Sequence, residues 1–314
     1  MSKFIGLVRN EHMKTFRRLS TWIMLGIAAV LFITIAAFTA YYAPDDNSDW
    51  RAENEQQIKD YQQYVEEGTL EQSDVEGDIA LLQYQLDQDI QPVQDNTLPA
   101  YMDTVMFYGS AFLIMFVAII AGGMVSTEFG TGTIKLLLTK TPSRFRVLTS
   151  KYVSMLVTMV IFFLFFIGFS FIVGGIFFGF TNFDAKEIII ENGEVLNSNM
   201  LVSTIRDYGL NFIQVLIYAT IAFALSTVFR NTALAIGFSI FISMFFPTIS
   251  MVLSRYDWSK YILFNNVDLI AYTPGNTPPV ADMTLTFSIV VMLVYFIIIT
   301  AITWFSFIKR DVTA

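Results

Sequence analysis

The residues most suggestive of chemistry lie between Ser126 and Lys151, in the stretch STEFGTGTIKLLLTKTPSRFRVLTSK. Its run Gly130-Thr131-Gly132-Thr133-Ile134-Lys135 invites a phosphate-loop reading, in which backbone N–H groups and a lysine cradle a nucleotide. The GxxxxGK[ST] spacing is not met and no strand precedes it, so nucleotide binding by this chain is not expected. A metal or hydrolytic centre is not expected either. Asp74, Glu76 and Asp78 alternate without the glycine-turned loop and terminal Glu of a calcium site. His12 is the only histidine and cysteine is absent, so the usual ligands and bases are missing. The chain reads as a non-enzyme that binds no cofactor of its own.

What must position that stretch is a set of membrane spans. The sequence is 54% hydrophobic and 15% charged, and a bilayer core about 30 Å thick needs roughly 20 apolar residues per helix. Six uncharged runs meet this, at 21–43, 104–127, 152–180, 208–229, 232–254 and 283–308. The first is too long and too far from the start for a cleaved leader. None of the six contains Asp, Glu, Lys, Arg or His. Such residues mark proton relays and ion coupling inside membranes, so a proton-driven transporter is not expected. The pairs Gly122-Gly123 and Gly174-Gly175 read as close packing points or bends.

Charge orients the spans. With the N-terminus inside, 13 of the 19 basic residues fall in the cytoplasm beside Glu11, Glu128 and Asp311, giving +10 there and -18 outside. Short loops rich in Lys and Arg stay cytoplasmic, so both ends, including the tail 309–314, are expected inside a bacterial plasma membrane. Residues 1–20 place Phe4, Ile5, Val8, Met13 and Phe16 among five basic residues, the pattern of an interfacial amphipathic helix contacting lipid.

The predicted fold is thus an all-α membrane protein of six spans. An extracellular acidic helical hairpin, 44–103, joins the first two. In it Val75, Ile79, Leu82 and Leu86 form a helix seam behind a Ser73/Glu76 capping box. Trp50, Ile58, Tyr61 and Val65 form a second stripe, ended by Gly68. From Pro44 to Ala100, fifteen acids against Arg51 and Lys59 give -13, a solvated exterior or an electrostatic trap for cations. In the outer loop 181–207, Asn192-Gly193 between Ile188-Ile189-Ile190 and Val195-Leu196 signals a small β-hairpin. The outer loop 255–282 opens on interface aromatics and then breaks at Pro274, Gly275, Pro278 and Pro279.

The inner loop 128–151 resembles that of the permease subunits of type-2 ATP-binding-cassette (ABC) exporters. The matching residues are Glu128, Gly130 to Thr133, Ile134 to Leu138 (with Lys135 and Leu137), Pro142, Ser143 and Arg144. The amphipathic first helix, the six spans and the short turn Phe229-Arg230-Asn231 fit the same family, although its members often have a short first outer connection and apolar re-entrant helices in the last. The resemblance implies that the loop docks on a separate ATP-binding subunit, present in two copies, which holds ATP and Mg. It also implies a second permease copy or homologue, and no nucleic acid. Phe107, Phe112 and Phe116 with Phe241, Phe245 and Phe246 are the candidate pathway residues, suited to amphipathic or lipid-like cargo such as a peptide antibiotic. The competing expectation is a non-transporting membrane sensor or scaffold with a ligand-binding acidic hairpin.

Overall fold

A computed structural model describes residues 2–43, 49–92, 96–133, 143–191, 194–229 and 231–309. It is mostly helical, and six of its helices are long and apolar enough to cross a membrane. In chain order these are α2 (Leu19–Tyr42), α5 (Leu98–Met124), α7 (Arg144–Phe178), α8 (Met200–Phe229), α9 (Thr232–Leu253) and α10 (Leu285–Lys309). The others are α1 (Ser2–Phe16), α3 (Trp50–Glu66), α4 (Gln72–Asp87) and the one-turn α6 (Ser126–Gly130).

Several of these helices outrun the uncharged stretches because capping residues and charges sit at their ends. The Thr97 hydroxyl accepts from Ala100 N and starts α5 ahead of Asp103. The Ser143 hydroxyl accepts from Arg146 N and starts α7 two turns before Lys151. Likewise Arg206 and Asp207 belong to α8. Side-chain caps of this kind satisfy N–H groups that a helix start leaves unpaired.

The core is built by α2, α5, α7 and α8. Phe32 of α2 meets Phe166 of α7 edge-on, with centroids 4.9 Å apart, and both are buried with Leu113, Phe116, Phe162, Val215 and Phe223. Glycines set how closely helices approach. A Cβ on Gly174 would stand 2.6 Å from Leu98 and Tyr101, and one on Gly122 would stand 3.3 Å from the Ile236 backbone. The outer pair, α9 and α10, bury only a few residues each and expose Phe238, Phe241, Phe245, Leu293 and Ile297.

Two small units project from the end of the bundle opposite α6. Helices α3 and α4 form the expected hairpin, and Gly68, at φ +69°, turns the chain where the seam ends. Polar groups help to hold it: buried Asn54 donates to Gln85 at 3.0 Å, and Arg51 pairs with Asp89. The capping box is corrected, because α4 begins at Gln72 and Ser73 lies inside its first turn. The β-hairpin forms from β1 (Lys186–Glu191) and β2 (Glu194–Asn199), antiparallel with Ile189 opposite Leu196. Its Asn192-Gly193 turn lies outside the described residues.

The last connection folds into three 3-10 turns, Asp257–Tyr261, Leu263–Asn265 and Ile270–Tyr272. Buried Asn265 and Asn266 pin them. Asn265 donates to Ser259 O at 2.8 Å and bonds Ser250 of α9, while Asn266 accepts from Ser288 of α10 at 2.7 Å.

Candidate functional site

The stretch 126–151 begins where the second span breaks. Helix α5 ends at Met124, and the N–H groups of Val125 and Ser126 both donate to Ser226 Oγ on α8, at 3.0 and 2.9 Å. The chain then turns through α6, and this turn aims Glu128 back into the bundle, where its residue is only 8% exposed.

There Glu128 meets groups from two other parts of the chain. Lys14 of α1 donates to Glu128 Oε1 at 2.8 Å and to Glu11 Oε1 at 2.7 Å. Lys151 of α7 stands 2.7 Å from Glu128 Oε1 and donates to Glu11 Oε2 at 2.7 Å. Two carboxylates and two ammonium groups thus alternate, and their formal charges cancel. Lys151 is fully enclosed, with its side chain 1% exposed, whereas that of Lys14 is 41% exposed. Burial works against protonated Lys14, but the hydrogen bonds and charges of Glu11 and Glu128 outweigh it and raise its pKa.

Burying a charge is tolerable only when it is paired, so these four residues hold one another in place. Removing one partner of such a buried pair costs about 3–5 kcal/mol, because the other is left uncompensated. The cluster ties α1, the one-turn α6 and the base of α7 into one joint. A cavity of about 230 Å³ opens beside it, and Arg18, Thr127 and Thr131 share its wall with Glu128. Glu128 Oε2 is enclosed and makes no hydrogen bond among the described residues.

The remaining sequence-selected residues divide. Gly130 closes α6, Thr131 donates to Thr127 O at 2.9 Å, and Gly132 takes φ +71°, which a glycine adopts without strain. Thr133 reaches Glu128 O at 3.5 Å. Ser143 is the α7 cap, and Arg144 donates to Ile308 O at 3.0 Å, tying that cap to the end of α10. Lys135, Leu137 and Pro142, with the rest of 134–142, lie outside the described residues.

The six phenylalanines do not form one surface. Phe116 is core, Phe112 packs on it with centroids 6.2 Å apart, and Phe107 is 76% exposed beside Tyr108. Phe241 and Phe245 stack at 4.8 Å on the exposed flank of α9, and Phe246 packs on Phe264 at 4.4 Å. Among the described residues no ring contact joins the two groups.

Sequence reasoning singled out Glu128 but missed Lys151 as a buried group, and it set the first helix against lipid. Lys14 instead turns inward, and the buried face of α1 is polar, formed by Glu11 and Thr15. The signal was present as two acids, Glu11 and Glu128, set among the basic residues of the same segments.

The model of the family described as a protein of unknown function (DUF2705) matches residues 72–313. The chain belongs to the DUF2705 family. This DUF2705 chain is 36% identical to the uncharacterized protein YhcI of Bacillus subtilis (strain 168) across 98% of its own length and 99% of YhcI. It is also 28% identical to the uncharacterized membrane protein YdbK of the same organism, over 62% of this chain and 75% of YdbK. With its six apolar helices, the DUF2705 chain is a membrane protein.

Proposed function

We propose that this chain is the membrane-spanning subunit of an ATP-driven exporter in a bacterial plasma membrane, with both termini cytoplasmic. ATP is hydrolysed by separate subunits that dock on the segment beginning at Glu128. The observation that carries the reading is the buried cluster of Glu11, Lys14, Glu128 and Lys151. It stands at the base of the loop that resembles an ABC-exporter coupling loop. A push on that loop reaches α1 and α7 through ion pairs, α5 through the chain, and α10 through Phe129, whose ring meets Phe307 edge-on at 6.4 Å.

The uncharged interiors of the spans support the same reading, since they offer no ionisable relay that would capture energy within the membrane. Rigid-body motion of packed helices about such a joint is a familiar way to convert a local push into a global change. Two copies of the chain would enclose the pathway, with exposed α9 at or near the seam and amphipathic molecules as cargo.

The test is purification of the tagged full chain from its native membrane. An associated protein with ATPase activity supports export. A kinase, or no partner, overturns it in favour of a sensor or scaffold.

A further inference from the structure

The cavity of about 230 Å³ beside the ion-pair cluster is bounded by α1, by Arg18 at the head of α2 and by the break between α5 and α6. Its wall carries Glu11 and Glu128 together with Lys14 and Arg18, so both signs of charge face it in equal number. A simple anion would meet the carboxylates, and a simple cation would meet the basic groups. A zwitterion complements both.

The basic half has donors to spare. Lys14 gives one N–H to Glu11 and one to Glu128, whereas an ammonium group has three. The Arg18 guanidinium has no ion pair and no hydrogen bond among the described residues. It lies against α5: its Nη1 is 3.6 Å from the point where a Cβ on Gly123 would stand, and Thr127 Oγ1 is 3.7 Å from the same point. A guanidinium fork with its donors unspent is suited to the oxygens of a phosphodiester.

The other half has acceptors to spare. The Thr127 hydroxyl donates to Gly123 O at 2.6 Å and the Thr15 hydroxyl donates to Glu11 O at 3.2 Å, so each has only lone pairs left to offer. Glu128, on the cavity wall and 8% exposed, keeps Oε2 without a hydrogen-bond partner among the described residues. A buried acceptor without a partner is costly, and a primary ammonium on a ligand would satisfy it.

Position indicates where such a ligand comes from. The volume is below the roughly 300 Å³ at which drug-sized sites begin, which leaves room for a headgroup and not for a whole amphiphile. Leu19 and Trp22, in the first turn of α2 directly after Arg18, are 73% and 58% exposed. An exposed tryptophan at the end of a span marks the bilayer interface. A phospholipid at that level sets its phosphate beside Arg18 and its chains along the apolar helices.

We propose that this cavity binds the headgroup of an ethanolamine phospholipid, with the phosphate on Arg18 and Lys14 and the ammonium on Glu128 and the Thr127 hydroxyl. The assignment rests on the membrane character of the chain and not on the export reading.

The experiment is native mass spectrometry of the purified, delipidated full chain in maltoside micelles. Phosphatidylethanolamine, phosphatidylcholine and phosphatidylglycerol of identical chains are supplied in equal amounts. Phosphatidylethanolamine is expected to be retained at least fivefold over phosphatidylcholine, whose trimethylated nitrogen has no N–H, and over phosphatidylglycerol, which has no cationic group. Arg18→Gln lowers its retention at least threefold without shifting the melting temperature, whereas Arg9→Gln on the exposed flank of α1 leaves it unchanged. Glu128→Gln brings the ethanolamine-to-choline ratio close to one; if that variant does not fold, Thr127→Val at least halves the ratio. Equal retention of the three lipids, equal losses from Arg9→Gln and Arg18→Gln, or a ratio unmoved by the folded Glu128 or Thr127 variant overturns the proposal. Displacement of the lipid by an equal concentration of soluble glycerophosphoethanolamine makes the ligand a free phosphoamine and overturns the lipid assignment. Lipid retention by a chain that brings down no ATPase would overturn export while leaving the headgroup site standing.

Discussion

At the Glu128 end of the bundle two carboxylates and two lysines lie 2.7–2.8 Å apart, and their charges cancel in a largely buried site. At the opposite end Asp103, Glu187, Asp207 and Asp268 line an open cavity, with Arg206 paired to Asp207. Both clusters are polar groups drawn from sequence-distant elements, yet they have opposite physical consequences. The first satisfies itself and so acts as a joint between helices. The second leaves like charges near one another in an open cavity.

The largest expected effect is on the joint. Lys151→Met leaves Glu11 and Glu128 facing each other with only half-exposed Lys14 between them, and should lower stability by about 3–5 kcal/mol, measured by thermal unfolding in detergent. Lys14→Met should cost less, about 1 kcal/mol, because an exposed ion pair is screened and weak. If Lys14→Met is the more damaging, the cluster is not organised around Lys151.

Next in size is a packing change away from both ends. Gly174→Ala places a methyl group 2.6 Å from Leu98 and Tyr101, and overpacking of this kind costs about 1–3 kcal/mol. The same melting experiment reads it. No loss would mean that α5 and α7 are spaced more loosely than this contact.

The acidic cavity should behave in the opposite sense from the joint. Enclosure, with nearby Asp207, raises the Asp268 pKa, although backbone N–H groups of Ile270 and Ala271 partly offset this. A carboxyl whose folded pKa is raised favours the folded state below its unfolded pKa, near 3.9, and loses that contribution as pH rises through the folded pKa. Asp268→Asn should therefore leave neutral-pH stability unchanged or raise it by up to about 1 kcal/mol. The gain should fade on acidification, as melting at pH 7 and pH 4 would reveal. A loss at pH 7 would mean that Asp268 has a cationic partner and that the two ends are alike.

The spans were legible in the sequence because they rest on a local property, namely uncharged length. So was the Asn192-Gly193 hairpin, whose pairing places Ile189 opposite Leu196. The joint was only half legible. Glu128 stood out as an acid closing a span, but Lys151 looked like one more inner-loop cation, since its burial depends on Glu11 lying some 140 residues away. The hairpin, too, was legible only in part, for a related reason. Its apolar stripe was visible, whereas buried Asn54 and Gln85 pair only once two helices are docked. The acidic cavity was missed because its carboxylates come from α5, β1, α8 and a loop, and the sequence drew attention to the denser acids of 44–103 instead.

The central claim is that the Glu128 joint transmits work between a partner ATPase and the spans. Its most direct test is ATP hydrolysis by the co-purified complex carrying Glu128→Gln, with assembly checked by size exclusion. Complex formation should be retained while stimulation of hydrolysis by the membrane subunit falls at least tenfold. An assembled complex in which the variant stimulates hydrolysis as fully as the parent chain would contradict the account.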